Sequence, residues 1–527
     1  MSATFTTPAA TASNQPRLSR MPKTMRWWHV FFLLGLANPG FYLAGIAFSV
    51  VALGPTWAIA LWAASAALGA LQAYVYAETA AMFPDKPGGL AIYAREGWRS
   101  RFSLAGPLAV FGYWLTWTSV LAVFGGVIGL LVTDEFLAGT GLATWTWGMP
   151  GTGWDVTTAR LIGLACMAVV FLVNTRGQRP ALRFGGAAAA LLAIPLVVIS
   201  VGAFVTGDVA NHPITGSNMS ATLDFYGWSP GAWGKFVLVM AWLYVIGYST
   251  YGAGCTATFA PEYKNTKDDT RKAILAVGAL NLAFGLLLPL AVVGTVGQEA
   301  LAKDTTGVVY LVGVLHDIAG AGAGTVLVGI LCAGLLLLMN TATMSSGRVL
   351  YALADQGMTV RWLGRLNRRQ IPARAMAVGL VLNAWLLFQF PSVFFILAVG
   401  NLGFMLAHVL ALSGFLLLRR DRPQWPRPIR LGSVWLGVAA VAGLANLAFV
   451  VFGLIGLPMT GYAFDASLTD PTAWMDRIVI VGVVTLVLGC AGYVIARHQR
   501  GKRFSLTDPS DEEPSTEAVA SAAMVAG

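Results

Sequence analysis

Ala241–Ile274 reads AWLYVIGYSTYGAGCTATFAPEYKNTKDDTRKAI. It continues an apolar run that begins at Trp233, and its middle holds Gly247, Gly252 and Gly254 among Ser249, Thr250 and Tyr251. Each glycine weakens a helix by about 1 kcal/mol relative to alanine. In lipid a freed backbone carbonyl or N–H must find a partner, so an interruption persists only where it faces protein or a wet cavity. Glycines also let neighbouring membrane helices pack closely, and this stretch alone does not separate the two uses. A second defect shifts the balance: the first apolar run, Trp27–Leu53, contains Ala37-Asn38-Pro39-Gly40. Proline removes a helical donor and clashes with the preceding turn. With five apolar segments in each half of the chain, the two interrupted runs are segments 1 and 6, in corresponding positions. A matched pair of broken segments is the pattern of a transporter binding site at the membrane midplane.

Composition sets the frame for that reading. The chain has 527 residues, 57% hydrophobic and 11% charged, and a mean hydropathy of +0.68. That is too apolar and too charge-poor for a soluble protein. Twelve apolar segments are expected as an all-α integral membrane fold, over residues 27–53, 55–82, 103–132, 159–174, 181–206, 233–260, 272–297, 321–353, 373–390, 393–418, 432–457 and 476–497. Each approaches the roughly 20 residues needed to cross a bilayer. Residues 1–24 and 499–527 read as disordered cytosolic tails, the first rich in Ser, Thr and Ala, the second acidic and then alanine-rich. Between them the expected units are a first five-helix repeat (25–206), a second (207–418), and helices 11 and 12 (419–498), which serve packing or a homodimer contact.

With the amino terminus inside, only Arg160, Lys235, Lys303 and Arg477 of the 34 Lys and Arg fall on the outer side. This is the positive-inside bias, and it places both termini in the cytoplasm of a multi-pass plasma (inner) membrane protein. The net charge of +10 is therefore a topology signal and does not point to nucleic acid. Cys166, Cys255, Cys332 and Cys490 are scattered through apolar segments, which indicates neither a disulfide framework nor a metal cluster. The five histidines show no metal spacing or nucleophile motif, so an enzyme is not expected.

Three stretches at segment ends carry the remaining chemistry. Segment 2 leaves through Tyr76-Ala77-Glu78-Thr79-Ala80-Ala81-Met82-Phe83-Pro84, then Asp85-Lys86-Pro87-Gly88-Gly89 and Tyr93. A carboxylate such as Glu78 near the end of a membrane helix needs a partner. A cation such as Arg95 or Arg348 is the simpler expectation, and a gating or proton-linked role the other. Segment 6 leaves through Phe259-Ala260-Pro261-Glu262-Tyr263-Lys264-Asn265-Thr266. Segment 8 ends Asn340-Thr341-Ala342-Thr343-Met344-Ser345-Ser346-Gly347-Arg348, with Gly357 beyond.

With these stretches the chain resembles the amino acid–polyamine–organocation (APC) transporters. That family has a Glu-containing segment 2 exit followed by Pro, Gly-Gly and Tyr. Its segment 6 exit carries an acid and a Lys-Asn pair, matched by Glu262, Lys264 and Asn265, and its segment 8 end is matched by Arg348 and Gly357. The resemblance covers about Arg26–Leu418. It implies a LeuT-like fold of two inverted five-helix repeats plus two extra helices, and secondary transport of amino acids or related small amines by alternating access. It places the substrate carboxylate at Asn38, Pro39, Gly40 and Phe41 and at Thr250, Tyr251, Gly252, Ala253 and Gly254. Helix ends with unsatisfied N–H groups attract an anion there, and Tyr248 or Tyr251 would cover an amine or side chain.

Three departures stand out. Asn38-Pro39-Gly40-Phe41 keeps only Gly40 of the family's glycine-rich signature. Gly254 stands where many relatives carry an acid. Phe184-Gly185-Gly186 and the residues after it lack the segment 5 Lys of some proton-coupled relatives. No cofactor is expected, and the coupling ion is H+ or Na+. For sodium the oxygen ligands would be segment 1 carbonyls and hydroxyls such as Thr343 or Ser346, although such hydroxyls commonly bond their own helix. Asn281, Asn383, Asn401 and His408 read as polar contacts between helices. A transporter-like membrane receptor without net transport is the alternative function.

Overall fold

The structure is a computed structural model that describes residues 23–36, 38–86, 88–176, 190–390, 392–461, 471–508 and 519. Most of the tail expected over 1–24, the Phe184-Gly185-Gly186 stretch and the greater part of 499–527 lie outside the described residues. Among the described residues ten helices are long and apolar enough to cross a membrane, including Trp27–Leu53, Pro55–Met82, Ala105–Phe136, Ala232–Glu262, Ala321–Asp355 and Val393–Asp421. Segments 5 and 9 give shorter apolar helices, Ala190–Thr206 and Ala373–Gln389.

Both interrupted segments are broken, each in its own way. Segment 1 runs as an α-helical turn at Trp27–Val30, a π-helical turn at Phe31–Gly35, a 3₁₀ stretch at Asn38–Tyr42 and an α-helix at Ile46–Leu53. Segment 6 is α-helical from Ala232 to Thr250 and then tightens to a 3₁₀ helix, Tyr251–Glu262, which contains Pro261. The expected gap over 247–254 is therefore a change of pitch at Thr250–Tyr251, with Gly247, Tyr248 and Thr250 still on the α-helical side. A 3₁₀ helix closes its own i to i+3 hydrogen bonds, so lipid-depth backbone stays paired without an open loop.

Small residues set the packing. Van der Waals contact between close backbones is the main attraction between helices in lipid. A Cβ on Gly112 would lie 2.4 Å from the Gly403 carbonyl oxygen, and one on Gly97 would lie 2.4 Å from Gly414 Cα. Segment 10 thus fits directly against segment 3 and against the short helix Leu90–Trp98. Segment 11, Val434–Thr460, uses Gly453 and Gly456 against Tyr244 and Val237 of segment 6.

The two ends of the bundle differ. One end holds both terminal segments. Met25 N–H donates to Glu262 O at 3.0 Å and Lys264 N–H to Met25 O at 2.8 Å. Residues 499–508 run along the same end, where Ser103 N–H donates to Leu506 O and Asp508 N–H to Arg99 O, each at 2.7 Å. Gly88 and Gly89 both have positive φ and turn the chain sharply into Leu90–Trp98. The other end carries an antiparallel hairpin of Thr146–Met149 and Trp154–Thr157, and the short helices Met219–Phe225, Gln298–Lys303 and Tyr310–Ala319. Trp145, Trp147 and Trp233 are exposed.

Candidate functional site

The breaks of segments 1 and 6 meet in the middle of the bundle. Asn38 Nδ2 donates to Ser249 O and to Asn281 Oδ1, both at 3.1 Å. In return, Ser249 Oγ donates to Phe41 O at 2.8 Å. Tyr42 OH reaches Asn281 O at 3.0 Å. A Cβ on Gly252 would sit 1.8 Å from Asn38 Oδ1, so this position accepts no side chain while Asn38 keeps its place. Proline and glycine loosen both backbones, and the polar groups so released bond across the gap to each other.

All ten residues expected at the substrate site are buried. Phe41 packs edge-on to Tyr248 and Trp117, with ring centroids 5.7 and 6.3 Å away, and tilts against Phe124 at 4.9 Å. Tyr248 OH donates to Thr116 O at 3.0 Å, which ties segment 6 to segment 3. The Thr250 hydroxyl pairs with that of Ser65 at 2.7 Å. Gly40 lies against Leu192 of segment 5, and Pro39 and Ala253 are enclosed beside their breaks. A Cβ on Gly254 would rest 3.5 Å from the Tyr76 ring, an ordinary contact. The space where relatives place an acid is thus bounded by an aromatic ring.

A second polar cluster lies beside the breaks. Tyr76 OH bonds His408 Nδ1 at 2.8 Å, and the His408 ring stands between Tyr251, at 5.1 Å, and Phe404, at 4.6 Å. Four buried polar atoms of this neighbourhood lack a hydrogen-bond partner among the described residues: Tyr251 OH, His408 Nε2, Asn281 Nδ2 and Trp117 Nε1. Buried polar atoms are nearly always satisfied, so such a group marks a place where something else can bond. Only the isolated His408 and Asn281 in apolar runs hinted at this cluster. Tyr113, Trp117 and Phe404 read as ordinary membrane-helix aromatics.

The gating and ion candidates lie elsewhere. Thr343 Oγ1 donates to Met339 O at 2.9 Å and Ser346 Oγ to Thr343 O at 3.4 Å, so both hydroxyls bond their own helix. Glu78 is fully buried, and its partners are not Arg95 or Arg348. Arg419 binds one carboxylate oxygen, Arg427 Nε the other at 3.1 Å, and Leu431 N–H donates at 2.9 Å. Glu78 therefore holds the end of segment 10 and the link to segment 11. Glu96 forms a second buried cluster with Lys86 at 3.1 Å, Arg422 at 3.2 Å and Arg99 at 3.4 Å. Burial alone would raise the Glu96 carboxyl, but Lys86, Arg99, Arg95 and Arg422 together hold it below its ordinary range. Among the described residues no group of His, Cys, Asp and Glu is placed to hold a metal ion, and the four cysteines are free.

Residues 25–490 match the family described as amino acid permease. The chain is 24% identical over 376 residues to amino-acid permease RocE of Bacillus subtilis, covering 69% of this chain and 73% of that one. Amino-acid permease RocC of the same organism is 23% identical over similar shares. Arginine/ornithine antiporter ArcD1 of Lactococcus lactis is 24% identical over 309 residues, 55% of each chain. A match over nearly the whole length, on a bundle of apolar helices, settles the class: the chain belongs to the amino acid permease family, whose members are membrane transporters rather than enzymes.

Proposed function

We propose that this permease is a secondary active transporter that moves amino acids by alternating access, with the substrate held between the breaks of segments 1 and 6. The observation that carries the reading is the direct contact of the two breaks through Asn38, Ser249 and Phe41. Bonds that close a gap from both sides can be exchanged for bonds to a ligand at little cost. In the proposed cycle the substrate ammonium takes the Phe41 carbonyl from Ser249, and Tyr251 OH and His408 Nε2 supply further polar contacts. The aromatic surround of Phe41, Trp117 and Tyr248 and the absence of an acid at Gly254 favour an amino acid with an uncharged side chain.

The backbone is bridged on both sides of these breaks. On one side Tyr310 OH donates to Leu43 O at 3.1 Å. On the other, Tyr93 OH donates to Ala257 O at 3.2 Å and Trp27 N–H to Asp269 Oδ1 at 3.1 Å. Alternating access then consists of releasing one set at a time. The paired positions of the breaks support twelve crossings in two inverted repeats of five plus two, in which the shorter helices of segments 5 and 9 would complete the count. An excess of Lys and Arg supports a cytoplasmic position for the end holding both termini, in a protein of the plasma membrane.

A thermal-shift screen of amino acids and amines, with and without sodium and at two pH values, tests ligand and coupling ion together, because native-state binding raises apparent stability. Saturable uptake of the hit into proteoliposomes is expected. Binding without uptake would revive the receptor reading, to which family membership lends no support. Stabilisation by arginine or ornithine alone would overturn the preference for an uncharged side chain.

A further inference from the structure

At the end of the bundle away from the termini, a cavity of about 370 Å³ opens between segments 3, 4, 9 and 10. Thr146, Asp155 and Thr157 of the β-hairpin form one wall, and Thr305 and Thr306, from the loop ahead of Tyr310, another. Leu130, Leu387, Val393 and Ile396 supply apolar lining. Small-molecule sites have this size and this mix of apolar lining with a few polar groups, from about 300 Å³ upward.

One wall residue carries a positive charge into the cavity. Arg160, in the first turn of segment 4, is half-buried, and its guanidinium donates to the Asp155 carbonyl oxygen and, at 3.0 Å, to Phe390 O. Neither acceptor carries a charge. Four other sheltered arginines are matched with carboxylates: Arg419 and Arg427 with Glu78, Arg99 and Arg422 with Glu96. Arg160 has no such ion pair among the described residues. A guanidinium does not deprotonate in proteins, and the carboxylate that acts on this one, Asp155 of the same wall, stands beyond ion-pair distance and leaves room for a second anion between them. Two long helices also start at this cavity, Thr158–Arg176 and Val393–Asp421, and add their positive ends. Asp155 brings the opposite charge to the same wall.

The cavity lies outside the aromatic closure of the bundle. Phe394 packs on Phe48 at 5.4 Å and on Trp242 at 5.6 Å, and Gly307 presses on the Phe48 ring. Thr305 and Thr306 immediately precede Gly307, so the loop that walls the cavity also seats the closure.

We infer that this cavity is a second, peripheral site that takes a free amino acid before it reaches the centre, with Arg160 receiving the α-carboxylate and Asp155 the α-ammonium. The inference rests on the transport reading above. Its test labels the cavity directly. In protein carrying Thr146→Cys, reconstituted in lipid, a sulfonate-bearing methanethiosulfonate is expected to react about tenfold faster than a trimethylammonium one, as a positive cleft concentrates anions. Alanine at millimolar concentrations should slow labelling several-fold, and alaninamide, which lacks the carboxylate, should not. Arg160→Gln should remove both the preference and the protection, and Arg160→Lys should retain most of each. Asp155→Asn, which leaves Arg160 in place, should weaken protection by alanine but not by acetate. The same labelling in a Gly252→Leu background separates the two sites: protection persists there even as uptake is lost. Equal rates for the two reagents, equal protection by alanine and alaninamide, protection that survives Arg160→Gln, or protection lost in the Gly252→Leu background would each overturn the inference. Unimpaired uptake by Gly252→Leu would instead count against the central site and leave the labelling result intact.

Discussion

Gly252 meets the side chain of Asn38 so closely that even one added carbon has no place. Overpacking of this kind costs about 1–3 kcal/mol when neighbours can shift. Here the neighbour that must shift is the residue that joins the two breaks. Gly252→Leu is expected to abolish proteoliposome uptake, while size-exclusion and helical circular dichroism remain those of inserted, folded protein. Glu96 gives a different residue-scale expectation. Its folded carboxyl lies below the unfolded value, so the stability it contributes is present above that value and is lost as pH falls through the folded pKa. Thermal unfolding in detergent should therefore show Tm falling as pH drops below about 4.5, the ordinary glutamate value. Glu96→Gln should lower Tm at neutral pH and flatten that acid limb. An unchanged acid limb would remove Glu96 from the stabilising set.

Among the elements, the 12-residue 3₁₀ helix Tyr251–Glu262 is the unusual one. Such helices rarely exceed about four residues, because their hydrogen bonds are poorly aligned, and longer runs mark hinges or strain. It is supported from outside: Tyr93 and Tyr263 bond its carbonyls at Ala257 and Thr256. The helix Tyr310–Ala319 is its counterpart across the bundle, with Asp304 capping the turn that leads into it at Thr306, Gly307 and Tyr310. Tyr310→Phe removes the bond to Leu43 O, about 1 kcal/mol, or roughly fivefold in an opening equilibrium. Amide hydrogen exchange across residues 304–310 should speed up by about that factor while exchange in segment 3 stays unchanged. No acceleration would show that this contact does not hold the loop.

At the scale of the whole molecule, the proposed orientation is open to a direct labelling test. Gly141 is exposed, with open space around its Cα, on the end that carries the hairpin, and Lys502 is exposed on the end that holds both terminal segments. A membrane-impermeant maleimide should therefore label Gly141→Cys in intact cells and Lys502→Cys only after permeabilisation. The reverse pattern would invert the proposed orientation and move the peripheral cavity to the cytoplasmic side. The terminal end is also the more heavily tied. Glu78 and Glu96 each draw cations from distant parts of the chain, and residues 505–508 bond Arg99 and Ser103.

Much of this molecule was legible before folding. Pro55–Met82 and the start of segment 8 at Ala321 fall where expected, each beginning directly after a glycine of positive φ, Gly54 or Gly320. Asn38-Pro39-Gly40 marked the segment 1 break, because lipid leaves a chain little besides helix and proline shows where helix fails. What stayed hidden was partnership. Glu78 needed a cation, yet the choice of Arg419 and Arg427 over Arg95 and Arg348 depended on which helix ends lie side by side. The segment 6 defect was visible, but whether it would open or tighten was not, since that turned on Asn38 filling the space beside Gly252. Helices that are apolar on every face carry no stripe to say which side turns inward. Sequence therefore determined where the helices run and where they weaken. Tertiary packing decided which weaknesses face each other, and so where the proposed solute site lies.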